Sequence, residues 1–395
     1  MFRGRDDVRI KRMKDQMRAE GLDYLIVHIA ENVLYTTGYW PVLGASMAIV
    51  PLHDEPTIFY VEGEQEFVAD SWVKDAHAYS IGDLERLANP ARDLARMLQD
   101  LWRERGYDPR GTIGYEASFE MVAANNISAE ARVPAQPSFD LLRSALPDAR
   151  LVDASDALRR ARIVKSPLEI QLIRTACEVG AFGCAAAREL MVPGMSEAEV
   201  SGAVEGRMYG QGVGYRGVRR ARGYAFIMSG PNSALSWRPF CIASARKLEH
   251  GDVVLLELDG FADGYFFDVT RTMSVGSPTP RAQEIWGIVN EALDAALRAI
   301  RPGAPAGDLT RAARQVVADR GYGAHFLHPV GHGVGLQLHE PPSLHPQSQD
   351  LLEEGMTLAV EPAIYIQGWG GIRLEETVAV TKDGYESLST YTRSL

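Results

Sequence analysis

The sequence predicts an α+β chain of two domains, an N-terminal α/β domain (1–155) and a C-terminal domain (156–395) built as an internal duplication around a curved antiparallel sheet. Three observations carry this prediction. Residues 1–150 alternate short apolar runs with amphipathic stretches, the pattern of an α/β unit of its own. Beyond it, a helix, a Pro-Gly break and a second helix occur twice, at Pro193-Gly194 and Pro302-Gly303, with the prolines 109 residues apart. Pro193 to Gly212 and Pro302 to Gly321 are both 19 residues. Finally, LEHGDVVLLELDGF (248–261) reads like LEEGMTLAVEPAIY (352–365) at an offset of 104 residues, which places Glu257 on Glu361.

The elements follow in order. DYLIVHI (23–29), SMAIVPL (46–52), TIFYV (57–61) and GTIGY (111–115) are apolar runs of strand length. Residues 7–20 and 86–106 carry helical periodicity. The second domain opens near Lys165, where Ser166 can cap a helix, Pro167 suits its first position and Glu169 completes a capping box. That helix runs to about Leu190. Ser196, with Glu199 three residues on, starts the next. The second copy predicts helices over 281–300 and 308–320, and the polar stretch 341–351 reads as a loop.

Bulk properties narrow the function. The chain has 395 residues, 46% of them hydrophobic, so it can bury a large core. A formal charge of −11 argues against nucleic acid or an anionic membrane as partner. No apolar leader and no run of about 18 apolar residues is visible, so a cytoplasmic location is expected. Cys177, Cys184 and Cys241 form an odd, low count that fits a reducing compartment. None has the context of a catalytic thiol.

The chemistry gathers in the duplicated hairpins. Ala262-Asp263-Gly264 reads as a turn that contains the midpoint of Glu257 and Asp268, and a register symmetric about that midpoint sets them opposite each other at roughly 5 Å. Facing carboxylates in an apolar hairpin need a proton, water or a cation, and a divalent cation answers most economically. Glu361 and Glu375 occupy comparable places in the second copy. Asp259, two residues from Glu257, shares its strand face and reads either as a supplementary ligand or as a solvated acid at the strand end. Five of the nine histidines fall within 325–345. The glycines of Gly331-His332-Gly333 let backbone approach a site closely, and a neutral imidazole suits zinc, manganese, cobalt or iron beside carboxylates. His339 can deliver a proton, His328 stands four residues before His332, and His325 and His345 read as structural.

These residues resemble a known family. GYFFDVTRT, GHGVGLQLHEPPSL, LAVEPAIY and GGIRLEETVAV stand in the order and spacing of the creatinase/prolidase/aminopeptidase P superfamily, which has the pita-bread fold. KSPLEIQLIRTA resembles its entry helix and ENVLYTTGYW its N-domain motif. The resemblance implies one or two divalent ions (Mn, Co, Zn or Fe) held by Glu257, Asp268, His332, Glu361 and Glu375. It implies Glu361 as the proton acceptor, His339 at the tetrahedral oxyanion, and Arg373 holding a ligating carboxylate or the substrate, with His328 beside the pocket. The implied activity is metal-dependent hydrolysis of a C–N bond in a small Xaa-Pro-type peptide. The implied assembly is a homodimer in which Tyr35–Trp40 closes over a neighbouring active site.

The resemblance is incomplete at the substrate end. Glu257 stands where the family's first ligand is usually Asp, Asp259 where it more often has Gly, and Trp237 where the peptidases have a histidine. Trp237 can stack on a cation or a ring, or form an apolar wall. Two alternatives therefore stand beside the peptidase reading. One is a creatinase-like amidohydrolase or a dimethylsulfoniopropionate-type lyase acting on another small molecule. The other is a catalytically silent binding protein, which retention of the ligand set opposes.

Overall fold

A computed structural model describes residues 4–42, 46–80, 89–117, 136–238 and 242–395. Cys241, Pro239-Phe240 and the first turn expected for the helix at 86–106 lie outside them. The chain divides into two compact units, one ending at Arg162 and the other spanning Ile163–Leu395.

The first unit runs through α1 (Asp7–Ala19), β1 (Tyr24–Val27), α2 (Ala30–Thr37), β2 (Met47–Pro51), β3 (Thr57–Val61), α3 (Gln65–Val68), β4 (Asp75–Tyr79), α4 (Pro90–Arg105), β5 (Thr112–Tyr115), α5 (Gln136–Ala145), β6 (Arg150–Asp153) and α6 (Ser155–Ile163). Its strands form one mixed sheet in the order β4-β3-β2-β1-β5-β6. β1 and β2 are buried along their whole length, which is why they read as continuous apolar runs rather than alternating ones. Ile26, Ile49, Phe59 and Ile113 pack with Leu98 and Trp102 of α4 and Leu142 of α5 in one core. α6 stays with this unit, since Ala157, Leu158 and Ala161 line one small cavity with Met13, Met17 and Leu22.

The second unit contains α7 (Pro167–Leu190), α8 (Glu197–Gly212), β7 (Ala221–Ser229), β8 (Val253–Ala262), β9 (Tyr265–Ser274), α9 (Pro280–Arg298), α10 (Gly307–Asp319), β10 (Gly331–Gly333), β11 (Glu340–Ser343), β12 (Thr357–Val360), β13 (Ala363–Ile366), β14 (Gly370–Arg373), β15 (Glu376–Thr381) and β16 (Gly384–Ser387). Both expected capping boxes are present, at Ser166–Glu169 and Ser196–Glu199. The sheet is divided into β7-β8-β9, β11-β10-β12-β15-β16 and the ribbon β13-β14. α7 lies close on the β8–β9 hairpin, because a Cβ at Gly180 would sit 2.7 Å from the Phe267 ring. α9 turns Ile285, Val289, Leu293 and Leu297 into a core with Leu358, Val360 and Val378.

The two hairpin copies are stitched together by hydrogen bonds from β9. Thr377 Oγ1 donates to Asp268 O at 2.6 Å, Glu375 N to Thr270 O at 3.0 Å, and Thr272 Oγ1 to Arg373 O at 2.9 Å. Among the described residues no helix is long and apolar enough to cross a membrane.

The register of the first hairpin corrects the sequence reading. Its turn has two residues, not three: Asp263 (φ 49°) and Gly264 (φ 94°) carry the positive φ values, and Ala262 stays in the strand paired with Tyr265. Glu257 therefore faces Thr270, and it is Asp259 that faces Asp268. The turn is braced by the Asp263 carboxylate, which accepts from Arg219 N and Arg220 N.

Candidate metal centre

Five carboxylates converge from the two copies. Glu257 and Asp259 project from one face of β8, and Asp268 from β9 opposite Asp259. Glu361 follows the last residue of β12, where Glu361 N donates to Val330 O at 2.7 Å. Glu375 lies between β14 and β15. Ligand oxygens of Glu257, Asp259 and Asp268 lie within 4.8 Å of one another. Asp259, Asp268 and Glu375 are 6%, 4% and 1% exposed, and each has one carboxylate oxygen without a hydrogen-bond partner: Asp259 Oδ1, Asp268 Oδ1 and Glu375 Oε1.

His332 enters from β10. Its Nδ1 donates to Gly333 O at 2.9 Å, which turns Nε2 toward the acids as the ring atom available to a cation. Nε2 is 3.5 Å from Asp268 Oδ2 and 4.0 Å from Glu361 Oε1. The approach depends on Gly331, which has φ 137° and where a Cβ would fall 2.0 Å from Ala359 O.

Arg373 is the cation of the cluster. Its Nη2 pairs with Glu257 Oε2, and its Nη1 lies 3.4 Å from Glu361 Oε2. Nε donates to Thr270 Oγ1 at 3.0 Å and Nη1 to Tyr365 Oη at 3.3 Å. Thr270 Oγ1 in turn donates a hydrogen bond to Glu375 Oε2 at 2.7 Å. The guanidinium thus holds two carboxylates directly and a third through Thr270. Behind Glu375, the fully buried Arg271 donates to Glu375 O, to Glu376 Oε1 at 3.1 Å and to Tyr391 O at 2.6 Å.

The electrostatics are those of a site short of positive charge. Burial pushes the Asp259 and Glu375 carboxyls well above the usual carboxylate range, and the nearby Asp268 charge pushes them further. Glu257 is raised by burial too, with Arg373 pulling it back. Asp268 goes the other way: burial raises it, but the His332 hydrogen bond and field outweigh that, so it keeps its charge while Asp259 holds the proton. Buried carboxyls that must protonate in order to coexist, yet still present oxygens without partners, fit a divalent cation and its oxygen-rich coordination. One imidazole among carboxylates suits manganese, cobalt, zinc or iron.

The other predicted residues are placed as follows. His328 Nε2 lies 3.0 Å from Tyr365 Oη, next to Arg373 and one step from the acids. The exposed His339 ring stacks on His332 with centroids 4.0 Å apart. His325 Nδ1 meets Tyr365 O at 3.0 Å, and His345 is exposed. Trp237 follows the 3-10 turn Gly230–Leu235 and is 43% exposed. That turn is fixed to β14 by Gly371 N donating to Ser233 Oγ at 2.8 Å. Buried Glu197 anchors the same segment, accepting from Ser229 N (2.7 Å), Ser244 N (2.9 Å) and Asn232 Nδ2 (3.1 Å). Sequence reasoning missed Thr270, Tyr365 and Glu197. Thr270 alone carried a signal, standing two residues after Asp268 on the same strand face.

Comparison with known proteins agrees with this architecture. Residues 171–382 match the metallopeptidase family M24, and residues 9–164 match the creatinase/prolidase N-terminal domain. The Xaa-Pro dipeptidase of Pyrococcus furiosus is 30% identical over 387 residues, covering 98% of this chain and 99% of that one. The crystal structure of the prolidase from Pyrococcus horikoshii OT3 superposes with a TM-score of 0.76 at 29% identity, covering 98% and 99% of the two chains. The Xaa-Pro dipeptidase from Bacillus anthracis gives 0.79 at 25% identity over 98% of each.

Proposed function

Because the chain belongs to metallopeptidase family M24, we propose that its five-carboxylate centre hydrolyses the bond preceding proline in small Xaa-Pro peptides. The observation that carries this reading is the meeting of Asp268, His332, Glu361 and Glu375 from both hairpin copies, with buried oxygens left over for a cation.

A divalent ion held by Asp268, His332, Glu361 and Glu375 would supply Lewis-acid polarisation of the scissile carbonyl and a more acidic water. The chain's residues do the rest. Glu361, held by Arg373, accepts the proton of the attacking water and passes it to the leaving nitrogen, so that a C–O bond forms as the C–N bond breaks. His339, at the open side of His332, donates a hydrogen bond to the carbonyl oxygen as charge develops on it. Trp237 offers an apolar face to the substrate side chain, and His328 with Tyr365 keeps Arg373 in place. The native metal in this proposal is one of manganese, cobalt, zinc or iron. The protein acts as a homodimer in the cytoplasm.

The test is metal analysis of purified protein coupled to a panel of Xaa-Pro dipeptides, longer Xaa-Pro peptides and small amides. Metal-dependent release of an amine and a carboxylate supports the reading. No metal-dependent turnover of any C–N bond, with Mn²⁺, Co²⁺ or Zn²⁺ supplied, refutes it. Mass measured across a range of concentrations tests the dimer, which a concentration-independent monomer would exclude.

A further inference from the structure

Glu257 and Asp259 stand two residues apart on one face of β8, and both reach the acidic cluster, but their partners differ. Glu257 is occupied by Arg373, whose Nη2 pairs with Oε2, and its side chain is 18% exposed. Asp259 is more deeply buried at 6% exposure, and the strand register sets it directly opposite Asp268. Asp268 has His332 Nε2 at 3.5 Å from its Oδ2, whereas Asp259 has no cation against it comparable to Arg373 on Glu257. Asp259 Oδ1 and Asp268 Oδ1 are both buried and without a hydrogen-bond partner. Two acids facing across adjacent strands, each with a buried and unfilled lone-pair site, are costly in the free protein.

We propose that Asp259 is itself a metal ligand, paired across the hairpin with Asp268, and that Glu257 serves as the partner of Arg373 instead of the metal. This rests on the metallopeptidase reading. The charge count supports it. Asp259, Asp268, Glu361 and Glu375 offset two divalent ions, while Glu257 offsets Arg373. The assignment also gives the first hairpin two aspartates at matched register positions, so that their short side chains present oxygens to one point from both strands.

The experiment compares wild type, Asp259→Asn and Glu257→Gln by calorimetric titration with Mn²⁺, by the visible spectrum of the Co²⁺-loaded protein, and by thermal unfolding with and without metal. Asp259→Asn is expected to weaken its most weakly held ion by at least about tenfold and to change the Co²⁺ bands. It is also expected to raise the unfolding temperature in chelator, since it removes one of two facing acids, while shrinking the gain that Mn²⁺ gives. A residue with a merely structural role would lower the unfolding temperature equally in both conditions, and that result overturns the proposal. An unchanged isotherm and spectrum in Asp259→Asn overturns it as well, and loss of metal in Glu257→Gln with retention in Asp259→Asn reverses the assignment. If the wild type takes up no divalent ion, the metallopeptidase reading itself fails. If the wild type binds metal and Asp259→Asn binds it equally well, only the ligand assignment fails.

Discussion

Lys165 and Glu340 form a buried ion pair at the base of the segment that ends in His339, with side chains 2% and 4% exposed. Exposed pairs of this kind contribute about 0–1 kcal/mol. Here both charges have left water, so the pair and its broken forms differ sharply. Glu340 Oε1 is packed so closely on Gly335 that a Cβ there would lie 2.4 Å away, and its Oε2 has Gln337 N at 3.4 Å. Lys165→Met therefore removes the facing cation without opening a path for solvent. The expected cost is about 3–5 kcal/mol. For a unit of 233 residues (163–395), that lowers the unfolding temperature by roughly 6–20 °C. Replacing both charges, as Lys165→Met with Glu340→Leu, is expected to recover most of this loss, because two apolar side chains meet without a stranded charge. Calorimetry on the metal-loaded protein provides the assay, with kcat measured beside it, since Glu340 adjoins His339. A Lys165→Met drop below about 2 °C, or additive losses in the double variant, would mean that Glu340 is not stranded when its cation is removed.

Four further outcomes follow from the geometry. Chelation should lower the unfolding temperature reversibly, and metal at 100 times its Kd should return about 2.7 kcal/mol; an unfolding transition indifferent to chelator would argue that the acids are satisfied without a cation. His339→Ala should reduce kcat/KM by about 10²-fold while leaving the Mn²⁺ isotherm unchanged, because the ring is exposed and stacks on His332 without reaching the acids. Gly331→Ala should cost about 3 kcal/mol, from backbone strain at φ 137° and from overlap with Ala359 O, and should weaken metal binding through His332; urea titration reads the first and calorimetric titration the second. In the N-terminal unit, burial lifts the Glu116 carboxyl to about 7 despite bonds from His28 N and Asn32 Nδ2. The folded state therefore binds the extra proton, so Glu116's contribution is fully present below the unfolded carboxyl value, about 4.3. It is lost as pH rises through 7 and amounts to on the order of 3 kcal/mol. Glu116→Gln should flatten that slope, and an unaltered slope would exclude Glu116 as its source.

Much of the fold was legible because its signals are local. Ser166-Pro167 with Glu169, and Ser196 with Glu199, announce helix starts through side chains three residues apart, and both boxes form. The site was legible through repetition: Glu361 was found by its likeness to Glu257, and the two do enter one cluster joined by Arg373. The hairpin register was misread because Ala262 can serve a turn or a strand equally well. Only the backbone shows that the positive φ values stop at Asp263 and Gly264. A turn centred on Asp263-Gly264 rather than on Ala262-Asp263 moves every pairing by two residues, and so sets Asp259 rather than Glu257 opposite Asp268. Lys165 and Glu340 were invisible as a pair, since 175 residues separate them and no periodicity links the residue before a helix cap to the first residue of a distant strand. The strand order of the N-terminal sheet was equally beyond local patterns, because β1 lies between β2 and β5 and the choice of neighbours is made by packing.

The alternation of β8 has a consequence for how such a centre changes over time. Glu257 and Asp259 both face the acidic cluster, so this part of the strand offers two rungs that are two residues apart, about 6–7 Å along the backbone. A ligand moved by one residue would leave the cavity for the α7 side. Moved by two, it stays inside and meets the next position on β9. A lineage can therefore install an acid at 259 while 257 still works, then release 257 to another task, without losing the centre in between. In this chain acids stand on both of these rungs, at 257 and 259.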